Sequence, residues 1–307
     1  MGDPAPGAPG HTVPEKLVET QLDEYLGELE RLWVGDVFTY KGPILDGADD
    51  LIRDEIDEIP NKKDCVFVIL ETSGGYIEVA QRIADLLRHF YQCVEFVVPN
   101  ACMSAGTVLA MSGNAIHMDY YSVLGPIDPQ VQRSDDGALI PALGYLAKYQ
   151  ELIEKDKSPG GLTAAEITYL VQRFDPAELY SYEQARELSI SLLKEWLVKY
   201  KFRNWTVTST QKKVVTPEMK QARAEEIAKA LGDTERWHSH SRGISMAVMD
   251  RDVNLQIEDL EKSPEAYRTL RQYYKLLKGY LMRRGQWGVL HRRGHYVPLG
   301  GPTDGAY

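Results

Sequence analysis

Cys65-Val66-Phe67-Val68-Ile69-Leu70 runs straight into Glu71-Thr72-Ser73-Gly74-Gly75, and this junction decides the fold class. A continuous apolar run has no polar face, so the segment reads as a strand buried on both sides, as in a parallel sheet. The glycine pair then breaks the strand. Paired glycines open backbone angles closed to other residues and allow close approach of a ligand. Downstream, the segment 78–90 carries Val79, Ile83, Leu86, Leu87 and Phe90 on one stripe, which is helical spacing. Val94-Glu95-Phe96-Val97-Val98 reads as a second strand closed by Pro99-Asn100. Residues 103–112 read as a short helix of small residues, and Ala115-Ile116-His117-Met118 as a third strand before the turn-rich Leu124-Gly125-Pro126-Ile127-Asp128-Pro129-Gln130. Strand, glycine turn, helix, strand, helix, strand is a βαβ series. It predicts an α/β fold with a parallel sheet and right-handed crossovers.

From about residue 141 the pattern turns helical. Residues 140–156 read as one helix and 163–174 as a second. Residues 181–202 read as a third, with Ser181 at its N-cap and Leu188, Leu192, Trp196, Leu197 and Tyr200 as a core or interface stripe. Thr216-Pro217-Glu218 and Ser263-Pro264-Glu265 each open a further helix, with proline at an early position. The resulting organisation is a Pro/Gly/Ala-rich disordered segment over 1–14, a catalytic domain over 15–180, a C-terminal helical extension over 181–285 and a flexible tail over 286–307.

The 307 residues suffice for a full core without staples. A net charge of −10 and an acidic pI argue against nucleic-acid binding, which leaves a basic footprint. Cys65, Cys93 and Cys102 form no CxxC pair, and a sparse, odd count fits reduced thiols in a cytoplasmic protein. Residues 1–15 lack the basic and apolar regions of a secretory signal, and no apolar stretch is long enough to span a bilayer. Docking on a membrane-associated partner stays open.

The chemistry centres on Cys102-Met103-Ser104-Ala105-Gly106-Thr107, which follows a buried strand. A serine at a helix start is placed for acyl transfer, because unpaired N–H groups there favour a developing oxyanion. Serine is also common at that position as a plain N-cap on a packing helix. Gly74-Gly75, a helix, a strand ending in Pro99, and Ser104 in a small-residue helix start resemble the Clp protease/crotonase superfamily. SGGYIEVAQRIADLLR, VPNACMSAGT, YYSVLGPIDPQV and the distant RWHSHSRGI are similar to the serine dehydrogenase proteinase family, a branch related to signal peptide peptidase A. The likeness runs from about residue 35 to about residue 285. It implies a Clp/crotonase-like ββα spiral, Ser104 as nucleophile, and the N–H groups of Gly75 and Ala105 as oxyanion hole, with Gly74 in support.

A serine nucleophile needs a base. The ClpP branch takes a histidine about two dozen residues after the serine, where this chain has Leu124 to Pro129 and no histidine. His117 comes too early and sits within a strand. Asp128 either orients a partner or shapes a turn. Branches that use lysine point to Lys148, which acts as a base only when desolvated; Lys155 and Lys157 sit in a charged stretch and read as solvated. His238 and His240, in Trp237-His238-Ser239-His240-Ser241-Arg242, are alternative bases or rim residues. They lack the further ligands of a zinc site, for which His291 and His295 qualify by type alone. Tyr76, Tyr120, Tyr121 and Tyr145 are candidates for lining a peptide groove.

The sequence thus predicts a serine endopeptidase acting through an acyl-enzyme on Ser104 with a Ser104–Lys148 dyad. It needs no cofactor and no metal, takes polypeptide substrates, and forms a homo-oligomer as the resemblance implies. Two alternatives share the fold. A crotonase-type acyl-CoA enzyme would use a carboxylate such as Glu71 or Glu78, and a non-catalytic scaffold would leave Ser104 inert.

Overall fold

A computed structural model describes residues 13–128, 130–132, 139–208, 211–237 and 242–300. The chain opens with α1 (Val13–Trp33), β1 (Asp36–Lys41) and α2 (Ala48–Asp57). The junction that decided the fold follows as β2 (Cys65–Glu71) and α3 (Ile77–Phe90). Next come β3 (Cys93–Val98), β4 (Ala101–Cys102), α4 (Ala105–Met111), β5 (Ala115–Met118), β6 (Val123–Leu124), β7 (Gln130–Gln132) and β8 (Leu139–Pro141). Helices α5 (Ala142–Asp156), α6 (Ala164–Arg173), α7 (Pro176–Trp196) and α8 (Pro217–Leu231) lead to short turns α9 (Thr234–Trp237) and α10 (Met246–Val248), with β9 (Ile244–Ser245) between them. The described chain closes with β10 (Glu258–Asp259), α11 (Pro264–Arg284), β11 (Gly288–Arg292) and β12 (His295–Leu299).

The main sheet runs β10-β5-β3-β2-β1-β11-β12. Its strands from β10 to β1 are parallel; β11 joins β1 antiparallel and β12 closes the edge. The apolar run of β2 is buried throughout because side chains alternate between two covered faces. Val66, Val68 and Leu70 point with Phe96, Val98, Ile116 and Met118 into a core shared with α2, α3, α4, α7 and α8. Phe67 and Ile69 point with Val37 and Val97 the other way, against Leu22, Leu26 and Leu29 of α1 and Leu270, Tyr273 and Leu277 of α11. The result is a helix–sheet–helix sandwich. Each fully buried leucine of α1 contributes about 1.5–3 kcal/mol.

The parallel core is the one the sequence implies, but three expectations need correction. Residues 286–300 are not a flexible tail: β11 and β12 form a hairpin on β1, with Val289 and Leu290 buried. Nor is the last third purely helical. Its stripe Leu192, Trp196 and Leu197 lies in the main core rather than in a separate extension. Third, Cys65 and Cys93 are opposite one another in the β2–β3 register and are disulfide-bonded across a Cα–Cα distance of 4.4 Å. Parallel pairing makes neighbours of two cysteines 28 residues apart, which a search for CxxC spacing cannot find. Cys102 is free and buried, and burial pushes its thiol pKa up.

Helix α7 starts earlier than expected. Asp175 caps it by accepting from the N–H groups of Ala177 and Glu178, and Ser181 lies inside, its hydroxyl donating to Glu178 O. Thr163 caps α6 and Thr216 caps α8. Helices α5, α6 and the start of α7 form an arm around their own cluster of Leu143, Leu146, Leu152, Phe174 and Tyr182. No helix among the described residues is long and apolar enough to cross a membrane.

Candidate active site

Three backbone segments converge where β2 ends. Gly74 and Gly75 both hold positive φ, +97° and +150°. A Cβ on Gly75 would lie 2.0 Å from Ile44 O, and one on Gly74 would lie 2.7 Å from Ser104 Cβ. Both positions therefore exclude any side chain on packing grounds as well as conformational ones. The strap before α2 fixes this turn: Ile44 N–H donates to Gly74 O and Ile44 O accepts from Tyr76 N–H, each at 2.8 Å. Thr72 Oγ1 accepts the Gly74 N–H at 3.0 Å. The Gly75 N–H has no acceptor among the described residues. The strap also occupies one side of Gly74–Tyr76.

Ser104 stands between β4 and α4 with φ 53° and ψ −121°. For a residue with a Cβ this region carries strain of about 1–3 kcal/mol. The surroundings hold it there. Met103 N–H donates to Thr72 O, Gly106 N–H to Met103 O, and Val108 N–H to Ser104 O. Thr107 Oγ1 ties the two flanking segments, lying 2.9 Å from Cys102 O and 3.0 Å from Gly125 O. Ser104 is not an ordinary cap, because its side chain accepts no helix N–H. It instead donates to the main-chain carbonyl of Asp128 at 2.5 Å and is fully buried. The Ala105 N–H, like that of Gly75, has no acceptor among the described residues.

Asp128 has two roles that its residue type could not reveal. Its carbonyl holds Ser104, and its carboxylate accepts the Leu143 N–H at 2.9 Å at the start of α5. The serine is thus linked through one buried residue to the arm. Thr72, Thr107 and Ile44 also shape the site. Thr107 was visible in the sequence as part of the small-residue helix start; the Ile44 strap had no sequence signal.

The structure does not bring Lys148 to Ser104. Lys148 lies on the exposed side of α5 with Nζ 2.9 Å from both carboxylate oxygens of Glu151. That hydrogen bond raises the lysine pKa, the reverse of what a base needs. Lys155 and Lys157 pair with Glu166 and Glu154 at the surface. His117 bonds Glu95 at 2.6 Å and its ring lies 6.1 Å from that of Phe67, on the α1–α11 face of the sheet. His291 is buried between Tyr273 and Asp23, and His295 is paired with Glu55. His238 and His240 lie outside the described residues. Tyr145 packs within the arm and donates to Arg173 O, while Tyr120 and Tyr121 are exposed.

The carboxylates of the crotonase alternative are also located. Glu71 accepts from Asn100 at 2.8 Å and Tyr274 at 2.5 Å and pairs with Lys41 at 2.9 Å. Glu78 is exposed in the first turn of α3. Glu55, Glu58 and His295 converge closely enough for a cation, but Arg292 already bridges both glutamates, and a guanidinium there opposes a metal ion.

Residues 35–158 match the family described as ClpP-like SDH-type serine proteinases. The matched segment holds the glycine turn, Ser104, Asp128 and Lys148, and it ends before α6. Among curated relatives, the chain is 31% identical over 155 residues to an uncharacterised protein of Methanocaldococcus jannaschii, covering 49% of this chain and 52% of that one. A second protein of that organism is 31% identical over 88 residues, covering 29% and 28%. The chain therefore spans about half the length of the first relative and less of the second. Among solved structures, a mutant of a membrane-bound stomatin-specific protease overlays 39% of this chain and 62% of its own, at 22% identity and a TM-score of 0.29. ClpP1 from Listeria monocytogenes overlays 81% and 96%, at 13% identity and a TM-score of 0.37.

Proposed function

We propose that the chain is a serine endopeptidase in which Ser104 attacks the peptide carbonyl and forms an acyl-enzyme. One observation carries this: Ser104 holds a strained backbone at a strand-to-helix turn and does not cap its helix. A serine kept only as a cap would sit in the extended region and accept a helix N–H. Strain held by the surrounding packing is instead characteristic of a nucleophile fixed on a sharp turn. The unclaimed N–H groups of Gly75 and Ala105 lie on either side in the chain path and form the oxyanion hole, where each donor is worth about 2.7–4 kcal/mol of transition-state stabilisation.

In the reaction the Ser104 hydroxyl leaves Asp128 O, loses its proton to the base and bonds to the substrate carbonyl carbon. The carbonyl oxygen takes the negative charge; as the C=O bond re-forms, the C–N bond breaks and the proton passes to the leaving amine, and water then hydrolyses the acyl-enzyme and frees Ser104. Lys148 is the proposed base. It can serve only after Glu151 releases it and its ammonium is desolvated, so catalysis belongs to a state in which the α5 face is covered. A homo-oligomer would supply that cover, and α6 offers exposed Ile167 and Val171 on the same arm. The state seen here, with Ser104 buried and held by Asp128, is then the resting one.

The substrates are polypeptides. The test is hydrolysis of quenched peptides by the wild type and Ser104→Ala. The variant is expected to lose about 10⁴-fold or more in kcat. Equal hydrolysis by both would refute the proposal.

A further inference from the structure

Beside the end of β2 lies an open cleft of about 350 Å³. Its walls are Pro43, Ala101, Met103 and Trp287, and Ser73 lies at its exposed edge. Met103 immediately precedes Ser104, so the cleft adjoins the proposed nucleophile along the chain. Its wall Trp287 comes from the α11–β11 turn, far outside residues 35–158.

Trp287 is 57% exposed yet held in place. Its main-chain N–H donates to Leu299 O at 3.1 Å. Its indole lies against two glycines: a Cβ on Gly300 would be 2.0 Å from Nε1, and one on Gly42 would be 3.4 Å from Cζ3. An aromatic surface fixed in advance binds with little loss of side-chain freedom. The chemistry of the floor narrows that partner. Lys41 and Glu71 both line it, but they pair with each other, and Glu71 also accepts from Tyr274 and Asn100. Neither charge is left over for an ionic ligand. The open main chain at Ser73 has no hydrogen-bond partner among the described residues, so it can pair with an extended backbone.

We infer that this cleft receives an apolar or aromatic side chain of the peptide substrate, and that Trp287 is the residue that sets this preference. The inference rests on the assignment of Ser104 as nucleophile. Apolar walls over a neutralised floor favour such a side chain and penalise a charged one, which would be desolvated without a partner. The peptide main chain would run past Ser73, placing the next carbonyl toward Ser104.

The experiment compares kcat/KM for quenched peptides that differ at one position, Phe against Asp, in the wild type, Trp287→Ala and Trp287→Phe. The Phe-to-Asp ratio should fall about tenfold or more in Trp287→Ala, chiefly through KM, and return in Trp287→Phe. Binding of the same peptides to Ser104→Ala, read by tryptophan fluorescence, should show the same order and lose it when Trp287→Ala is added. An unchanged ratio and unchanged binding order in folded Trp287→Ala overturn the inference. Wild-type labelling by a fluorophosphonate separates the two claims. Labelling at Ser104 with an unchanged ratio rejects only the cleft, whereas modification elsewhere removes the nucleophile and the cleft's role with it.

Discussion

Ser104 and the glycine pair were legible from residue type and spacing, because a buried strand followed by Gly-Gly and a small-residue helix start leave few ways to fold. What the serine is bonded to was not legible. Its acceptor is the main-chain carbonyl of Asp128, and every residue carries a carbonyl. The closeness of Gly74 to Ser104 gives a direct test of the local packing. Gly74→Ala places a Cβ 2.7 Å from Ser104 Cβ at φ +97°, so it should destabilise the protein by about 2 kcal/mol or more. Urea unfolding measures this; a midpoint equal to wild type would mean that the turn is not packed against the serine.

At the scale of elements, β2, α3 and β3 stood out in the sequence through continuous or periodic apolar residues. The hairpin β11–β12 did not. Its residues Arg292, Arg293, Gly294 and Pro298 give it the composition of a loop, and only pairing with β1 makes it a strand pair. Removing residues 286–307 strips β1 of its antiparallel partner and uncovers the neighbours of Leu290 in one core and of Val289 in the other. The truncated protein should lose cooperative thermal unfolding, and a truncation that melts like the full chain would contradict this placement. Helix α5 was also read correctly as a helix, but the exposure of Lys148 depends on how the arm packs, which local sequence does not determine. The Glu151 carboxylate favours the Lys148 ammonium and raises its pKa. Glu151→Gln therefore lowers that pKa, and the neutral base is populated at lower pH. If Lys148 is the base, the acid limb of the kcat/KM profile moves to lower pH in Glu151→Gln. A limb that stays in place assigns the proton to another group.

Across the whole molecule, the strands of a parallel sheet and the helices on its two faces bring the glycine turn and Ser104 together at the carboxyl end of β2, the end at which open α/β sheets bind ligands. The βαβ order predicted that position. It could not predict that the C-terminal hairpin returns to the same end and sets Trp287 beside Met103, because that contact joins residues nearly two hundred positions apart. Nor could it show that the arm α5–α7 reaches the serine through Asp128. If this link couples the arm to the serine, covering the arm and freeing the Ser104 hydroxyl occur together.

The most direct measurement is the mass of the peptide containing residue 104 after wild-type protein is treated with a fluorophosphonate. The adduct is expected on Ser104 and absent in Ser104→Ala. A stable adduct on any other residue, or equal labelling of Ser104→Ala, would contradict the assignment of Ser104 as the nucleophile.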